Sequence, residues 1–273
     1  MLGARPMKQR LELDILPQPD DTTCGPTCLH AIYRFHGDVM PLDQLISEVE
    51  RLEHGGTYAA YLARHALDRG YDVRLFTWNV EVFDPTWFEL SPSGMAARLS
   101  AREKFKAGDR TERAHRAYLE FLTAGGEIEF EDLTTRLIRK FLNRGAPIIT
   151  GLSSTFLYRA MRERGMDMDD DDIRGDPQGH FVVLCGYDKE DRTVLVADPM
   201  HPNPAFQGLQ YVVDIDRLVS AILLGVLTHD ADLLVIEPRK DDGDDQSDDA
   251  ESERGRARPR RASTGKANDQ GKG

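Results

Sequence analysis

Cys24 stands where a turn-rich loop passes into a helix, and this position suits a reactive thiol. The segment Gln18-Pro-Asp-Asp-Thr-Thr-Cys24-Gly-Pro-Thr-Cys28 leads into an apolar pattern that predicts a helix from Cys24 to His36. The start of a helix offers free backbone N–H groups and the positive end of the helix dipole, and both favour a thiolate. We therefore expect Cys24 to be a nucleophile. Cys28, one turn deeper among apolar neighbours, is expected in the core.

Two later residues could complete a thiol-dependent site. His180 follows Gly179 and opens an apolar strand, and Asp198 ends the next strand, directly before Pro199. Two strands joined by a short turn pair antiparallel, so we expect His180 and Asp198 to lie side by side. The carboxylate could then hold the imidazole in one tautomer. His201, close to Asp198 in sequence, is the alternative imidazole.

Attack on a carbonyl group also requires hydrogen-bond donors for the oxyanion that forms. Gln18 lies six residues before Cys24 in the same loop, and its side-chain amide can point where the Cys24 backbone N–H also points. Together with His180 and Asp198, these residues predict nucleophilic catalysis, in which the imidazole takes or shares the thiol proton.

The elements that position these residues indicate an α+β fold. Leu11 to Leu16 alternates apolar and acidic residues and predicts a short edge strand. Thr22, Thr23 or Asp21 could cap the helix that begins at Cys24. Further helices are predicted near 41–52, 57–69, 92–106, 111–123, 132–143 and 217–224, and further strands near 71–78, 147–152, 181–187, 193–197, 209–215 and 232–236.

The chain of 273 residues is expected to hold one folded domain, residues 11–238, with a helical insertion at about 81–126. Residues 1–10 are polar and predict a flexible N-terminus. Residues 239–273 have few apolar side chains and contain nine acidic and nine basic ones, so they predict a disordered charged tail. The net charge of −12 therefore belongs to residues 1–238.

This composition excludes several classes of function. An acidic protein is a poor partner for nucleic acid or an anionic membrane surface. The longest apolar run, Val219–Leu227, is too short to span a bilayer, and the N-terminus has no apolar signal-peptide core. Three cysteines do not form a disulfide framework in a chain of this length, so we expect reduced thiols and a cytoplasmic location. The sequence does not indicate an oligomeric state.

No cofactor or metal is expected. The acidic loop Asp167–Asp172 departs from a calcium-binding EF-hand loop, because Asp172 stands in place of its Gly and Gln178 in place of its bidentate Glu. Cys24 and Cys28 could share a zinc ion with a histidine, but no second close pair completes the four ligands. We expect a solvated mobile loop here. Because the loop leads directly to His180, a lid that attracts basic peptides is the functional alternative.

Three motifs, in this order, resemble one family: Gln18-x5-Cys24-Gly-Pro, Gly179-His180-Phe-Val-Val-Leu-x-Gly-Tyr and Ala197-Asp198-Pro199. They are similar to the papain-like bacteriocin-processing peptidases, which cleave double-glycine leader peptides, and to their free-standing bacterial members. The resemblance covers residues 11–80 and 145–236. It implies a papain-like cysteine proteinase fold, with a helical half packed on a mostly antiparallel sheet. It also implies a Cys–His–Asp triad with a glutamine in the oxyanion hole.

The predicted function is a cysteine peptidase that hydrolyses peptide bonds through an acyl-thioester on Cys24. Two alternatives remain open. A transpeptidase or acyltransferase would pass the same thioester to an amine, and a non-catalytic relative would only bind peptides. In each case the expected partner is a peptide or protein, with basic substrates favoured by the acidic loop.

Overall fold

A central β-sheet organises the structure, a computed structural model that describes residues 7, 9–53, 55–103, 105, 109–165 and 168–239. The strands are β1 (Gln9–Arg10), β2 (Tyr71–Thr77), β3 (Glu127–Glu129), β4 (Ile148–Ser153), β5 (Glu163–Arg164), β6 (Asp169–Asp170), β7 (Gly179–Asp188), β8 (Thr193–Ala197), β9 (Gln210–Asp214) and β10 (Asp232–Pro238). The helices are α1 (Cys24–Phe35), α2 (Leu42–Glu48), α3 (Ala59–Asp68), α4 (Pro92–Glu103), α5 (Asp109–Thr123), α6 (Thr135–Leu142), α7 (Ser154–Tyr158) and α8 (Ile215–Leu224). Short 3-10 helices span Pro85–Glu89 and Gly225–Thr228.

The sheet has the strand order β3-β2-β10-β4-β7-β8-β9, with β1 paired to β7, while β5 and β6 form a separate small hairpin. Its strand pairs are antiparallel except that β2 and β3 run parallel. The predicted hairpin of β7 and β8 is present.

Helices cover both faces of the sheet. Because side chains alternate along a strand, Val183 and Cys185 of β7 pack with α1 to α5, whereas Val182 and Leu184 pack with α6 to α8. The two faces therefore have two separate apolar cores. The predicted α+β class is confirmed, with a helical half that carries Cys24 packed on a mostly antiparallel sheet that carries His180.

The prediction of an edge strand over Leu11–Leu16 is wrong. Burial alternates as the pattern indicated, with Leu13 and Ile15 buried, but pairing with β7 stops at the hydrogen bond from the Leu11 N–H to the Cys185 carbonyl, 2.8 Å. The next residue of β7, Leu184, already pairs with β4 on that edge. The segment therefore continues without a partner strand, and the Leu13 N–H donates to the Leu11 carbonyl at 3.0 Å in a tight turn.

The charged helices predicted near 92–106 and 111–123 are present as α4 and α5. Ala114, Tyr118 and Phe121 of α5 are fully buried in the same core as α1 and α3. The insertion boundaries at 81–126 stay a prediction. The flexible N-terminus (1–10) and the tail (239–273) stay predictions as well, because most of those residues lie outside the described ones. None of the described helices is long and apolar enough to cross a membrane.

A buried polar network ties α5 to the sheet. The Tyr118 hydroxyl donates to Asp232 Oδ1 at 2.9 Å, and Asn79 Nδ2 donates to the Tyr118 hydroxyl at 3.0 Å and to Thr77 Oγ1 at 3.1 Å. Asp232 is 1% exposed. Burial, reinforced by the nearby charge of Asp230, raises the pKa of Asp232 to about 8, despite the hydrogen bonds that lower it.

Asp232 makes the stability of the fold depend on pH. Its folded-state pKa lies above the unfolded value of about 3.9, so its stabilising contribution is complete below about pH 4 and is lost as pH rises towards 8. Asp232→Asn should therefore gain unfolding free energy relative to the wild type, by about 1 kcal/mol or more between pH 5 and pH 8. Urea denaturation at both pH values measures this difference. If the difference in unfolding free energy between Asp232→Asn and the wild type is the same at pH 5 and pH 8, the pKa of Asp232 is not raised.

Candidate active site

Cys24 is the first residue of α1, and the turn before it does not cap the helix with a side chain. Thr23 occupies the N-cap position, but its hydroxyl donates to the Asp20 carbonyl at 3.0 Å. The prediction of a cap by Thr22, Thr23 or Asp21 is therefore wrong. The N–H groups of the first turn are left without a side-chain acceptor, as suits a helix start that receives a negative charge.

Close packing fixes the start of α1 against the sheet. A β-carbon on Gly25 would lie 2.6 Å from Thr57 Cγ2 and 3.3 Å from Phe181 Cδ2, so only glycine allows this approach. The Cys28 thiol donates to the Phe181 carbonyl at 3.3 Å and is fully buried, as predicted for a core residue. Cys24 itself is 9% exposed and lines a cleft.

His180, the second residue of β7, meets both Cys24 and Asp198. Its Nε2 lies 2.8 Å from Asp198 Oδ1, and Cys24 is close enough to influence the charge of the ring. Because Nε2 faces the carboxylate, Nδ1 remains for the sulfur. Asp198 follows the last residue of β8, which neighbours β7, and this is the adjacency expected from the sequence.

Asp198 is fully buried and accepts hydrogen bonds on both oxygens. Oδ1 accepts from His180 and from the Met200 N–H at 2.9 Å. Oδ2 accepts from the Tyr158 and Tyr211 hydroxyls, both at 2.6 Å, and from Asn203 Nδ2 at 3.1 Å. Burial alone would raise the pKa of this carboxyl, but the charge of His180 and these hydrogen bonds hold the pKa below its usual value.

The contact between His180 and Asp198 also changes the pKa of the imidazole. Burial lowers the pKa of His180, but the charge of Asp198, then that of Cys24, and the hydrogen bonds to both outweigh it and raise the pKa to about 10. At neutral pH the ring is therefore an imidazolium beside Cys24. An imidazolium next to a thiol is the arrangement that activates cysteine nucleophiles.

Gln18 lies next to this pair of strands. Its N–H donates to the carbonyl of Pro199, the residue after Asp198, at 2.8 Å. Its Oε1 is buried without a hydrogen-bond partner among the described residues. Gln18 does not line the cleft described below, so its role as an oxyanion donor stays a prediction.

A cleft of about 560 Å³ runs past Cys24 and His180. Its charged lining is mostly acidic and consists of Asp21, Glu163, Asp176, Asp230 and the cation Arg113. Gly179 lies directly over Asp230, because a β-carbon on this glycine would be 1.8 Å from Asp230 Oδ2. Burial, together with the charges of Asp170 and Asp21, raises the pKa of Glu163. Negative charge is thus concentrated beside the sulfur.

Of the described residues of the acidic loop, Met168 lines this cleft, whereas Asp169–Asp172 do not. Where it is described, β5 pairs with β6, and Asp171 accepts hydrogen bonds from the Ile173 and Arg174 N–H groups. Asp167 lies outside the described residues. Within the described part of the chain, no three His, Cys, Asp or Glu side chains lie close enough together to hold a metal ion.

Sequence patterns did not identify the donors to Asp198. Tyr158 lies in α7, which was not predicted, and Tyr211 lies in a predicted strand where it reads as a core aromatic residue. Asn203 lies in the loop after Asp198. No spacing signal marks these residues, because three separate segments bring them to one carboxylate. His201, the alternative imidazole, is exposed.

One family model matches part of the chain. The family model described as "Peptidase_C39 like family" matches residues 91–211, a range that includes His180 and Asp198 but not Gln18 or Cys24. This match confirms the resemblance to the bacteriocin-processing peptidases that the motifs indicated. No curated protein sequence matches the chain.

Three solved structures are similar to this chain at low sequence identity. A C39-like peptidase from Bacillus anthracis is 13% identical, with 87% of this chain and 100% of that chain covered and a TM-score of 0.48. A double-glycine-motif protease from an AMS/PCAT transporter, in complex with the leader peptide, is 11% identical, with 85% and 96% covered and a TM-score of 0.40. Xylellain, a cysteine protease from Xylella fastidiosa, is 14% identical, with 87% and 88% covered and a TM-score of 0.39.

The three thiols should differ sharply in reactivity. Burial raises the pKa of Cys28 well above its usual value and the pKa of Cys185 to about 12, and both side chains are fully buried. Iodoacetamide at pH 7 should therefore modify Cys24 on the order of tenfold or more faster than either in the native protein. Peptide mass spectrometry measures the three rates, and urea-unfolded protein is the control. Equal rates for the three thiols in the native state would show that the site does not activate Cys24.

Proposed function

We propose that this chain, whose residues 91–211 match the peptidase C39-like family model, is a cysteine peptidase that hydrolyses peptide bonds. The observation that carries the proposal is the line of contacts from Cys24 through His180 to Asp198 at the wall of a cleft. A thiol at a helix start, an imidazolium beside it and a buried carboxylate behind the ring are the parts that thiol-dependent acyl transfer needs.

In the proposed reaction, the Cys24 thiolate attacks the carbonyl carbon of the scissile bond. The carbonyl electron pair moves to oxygen, and the Cys24 N–H and the Gln18 amide donate hydrogen bonds to that oxyanion. As the tetrahedral intermediate collapses, the C–N bond breaks and the amine leaves with the proton of His180. An acyl-thioester remains on Cys24.

Hydrolysis of the thioester completes the cycle. Neutral His180 takes a proton from water, the resulting hydroxide attacks the thioester carbonyl, and the thiolate leaves as the acid product forms. The imidazolium and thiolate are then restored. Asp198 remains a carboxylate throughout, because its hydrogen bonds favour the charged form.

We also propose that the substrate is a peptide or protein segment with basic residues. The carboxylates of Asp21, Glu163 and Asp176 line the cleft that holds Cys24, and Arg113 lines it together with the His180 ring. An acidic cleft attracts and orients cationic segments. The three free cysteines support a reducing setting, and we propose a cytoplasmic location.

Removing the nucleophile should abolish turnover. We expect Cys24→Ala to lose all measurable cleavage of a peptide library, and Gln18→Ala to lose about a hundredfold in kcat through loss of an oxyanion donor. Cys185→Ala is the control, since this thiol lies in the sheet core, away from the cleft, and should keep its activity. Unchanged turnover by Cys24→Ala would show the mechanism to be wrong.

Product analysis separates hydrolysis from transfer to an amine. Mass spectrometry of the products, with and without added amine acceptors, shows whether the acyl group passes to water or to the amine. A non-catalytic peptide-binding protein would give no product in either case and no acyl-thioester on Cys24.

The charge of the cleft should set a preference among peptides. Glu163→Gln should lower the ratio of kcat/KM for a lysine-containing peptide over its glutamine counterpart by about two- to fivefold, an effect that added salt reduces. Glu127→Gln removes an equal charge from exposed β3, outside the cleft lining, and serves as the matched control. A ratio that is the same in all three proteins would exclude recognition of basic residues by Glu163.

A further inference from the structure

We infer that Tyr158 and Tyr211 are positioning residues that orient the Asp198 carboxylate towards His180 and keep it charged. Through this contact they maintain the imidazolium that faces Cys24. The inference concerns the state of the Cys24–His180 pair and rests on the proposed function only for its catalytic consequence.

Two separate elements bring the phenols to one oxygen atom. Tyr158 ends α7, which follows β4 directly, and Tyr211 is the second residue of β9. Both hydroxyls lie 2.6 Å from Asp198 Oδ2, and the two residues are 7% and 8% exposed. A hydrogen bond from a hydroxyl to a carboxylate is short and strong when it excludes water. Both phenol hydroxyls thus donate to the oxygen of Asp198 that does not contact His180.

The loop after Asp198 holds both rings in place. Phe206 stacks on Tyr211 with ring centroids 3.7 Å apart and planes 7° apart, and its ring meets Tyr158 edge to face at 6.2 Å. Asn203 fixes this loop, since its Oδ1 accepts from the N–H groups of Ala205 and Phe206 while its Nδ2 donates to Asp198 Oδ2. The rings are therefore set by aromatic packing independently of the hydroxyl contacts.

The count of donors explains how this arrangement acts on His180. An ionised carboxylate offers about four lone-pair positions. Oδ2 accepts three donors, one more than its two lone pairs, and the two lone pairs of Oδ1 accept the Met200 N–H and His180 Nε2. A proton on Asp198 would displace one of these bonds. Rotation of the carboxylate would break both phenol contacts.

The titratable groups around the pair come from several elements. Cys24 and Cys28 face it from α1, Tyr158 from α7 and Tyr211 from β9. Burial raises the pKa of both tyrosines far above the ordinary value, and the charge of Asp198 raises it further, so both remain donors across the working pH range. Burial likewise keeps the Cys28 thiol neutral.

The test measures the proton affinity of His180 directly. The ring resonances of His180 in isotope-labelled protein are followed by NMR from pH 5 to pH 11 and assigned with His180→Gln. Loss of the two donors frees the Asp198 carboxylate to rotate away from the ring, which weakens its contact with His180. We expect Tyr158→Phe/Tyr211→Phe to lower the midpoint of His180 by about one pH unit, a tenfold loss of proton affinity, and each single variant to lower it by less.

Tyr118→Phe is the matched control, because it removes a phenol that donates to another buried carboxylate, that of Asp232. It should leave the His180 midpoint unchanged. A purely structural role of Tyr158 and Tyr211 would reduce the unfolding free energy without moving the midpoint, and this result in a folded variant would overturn the inference. If the double variant does not fold, the single variants decide, since Tyr211→Phe keeps the stack on Phe206.

This experiment separates the inference from the proposed function. The titration requires no peptide turnover, so a midpoint that shifts in a protein without peptidase activity supports the positioning role and refutes the peptidase. Turnover by the wild type, together with an unshifted His180 midpoint in the variants, supports the peptidase and overturns the positioning role.

Discussion

The contact between His180 and Asp198, 2.8 Å long and almost completely withdrawn from solvent, is the interaction on which the rest of the site depends. A buried carboxylate is costly unless its charge is balanced and its oxygens accept hydrogen bonds. Here one imidazolium balances the charge, and four further donors satisfy the oxygens. Cys24 and His180 line the cleft, whereas Asp198 does not, and in the proposed function Cys24 is the nucleophile.

The fold holds the parts of this chain of contacts on different layers. Cys24 comes from the helical layer, while His180 and Asp198 come from adjacent strands of the sheet. The distance between the layers is set where α1 begins, and Gly25 permits that approach because any β-carbon there would collide with Thr57. Packing of α1 on the sheet therefore also brings Cys24 beside His180.

Two further buried carboxylates connect the cleft to the rest of the molecule. Asp230 lies beneath Gly179 at the cleft, and Asp232, two residues later, anchors α5 through Tyr118. The mutual repulsion of these carboxylates contributes to the raised pKa of Asp232. The charged helix α5 is thus held to the sheet by a polar network around Asp232, two residues after Asp230. Negative charge in the cleft comes from Asp230 as well as from Asp21, Glu163 and Asp176.

The sequence by itself was sufficient to predict the α+β class, most helices and strands, and the candidates Cys24, His180 and Asp198, because these depend on local periodicity, helix starts and the neighbourhood of two strands joined by a turn. It did not predict that Leu11–Leu16 would remain unpaired, since that depends on β4 already occupying the edge of β7. Nor did it reveal Tyr158 and Tyr211 as partners of Asp198. These residues are joined only by tertiary packing, and hydrogen bonds between distant segments leave no periodic signal in the chain.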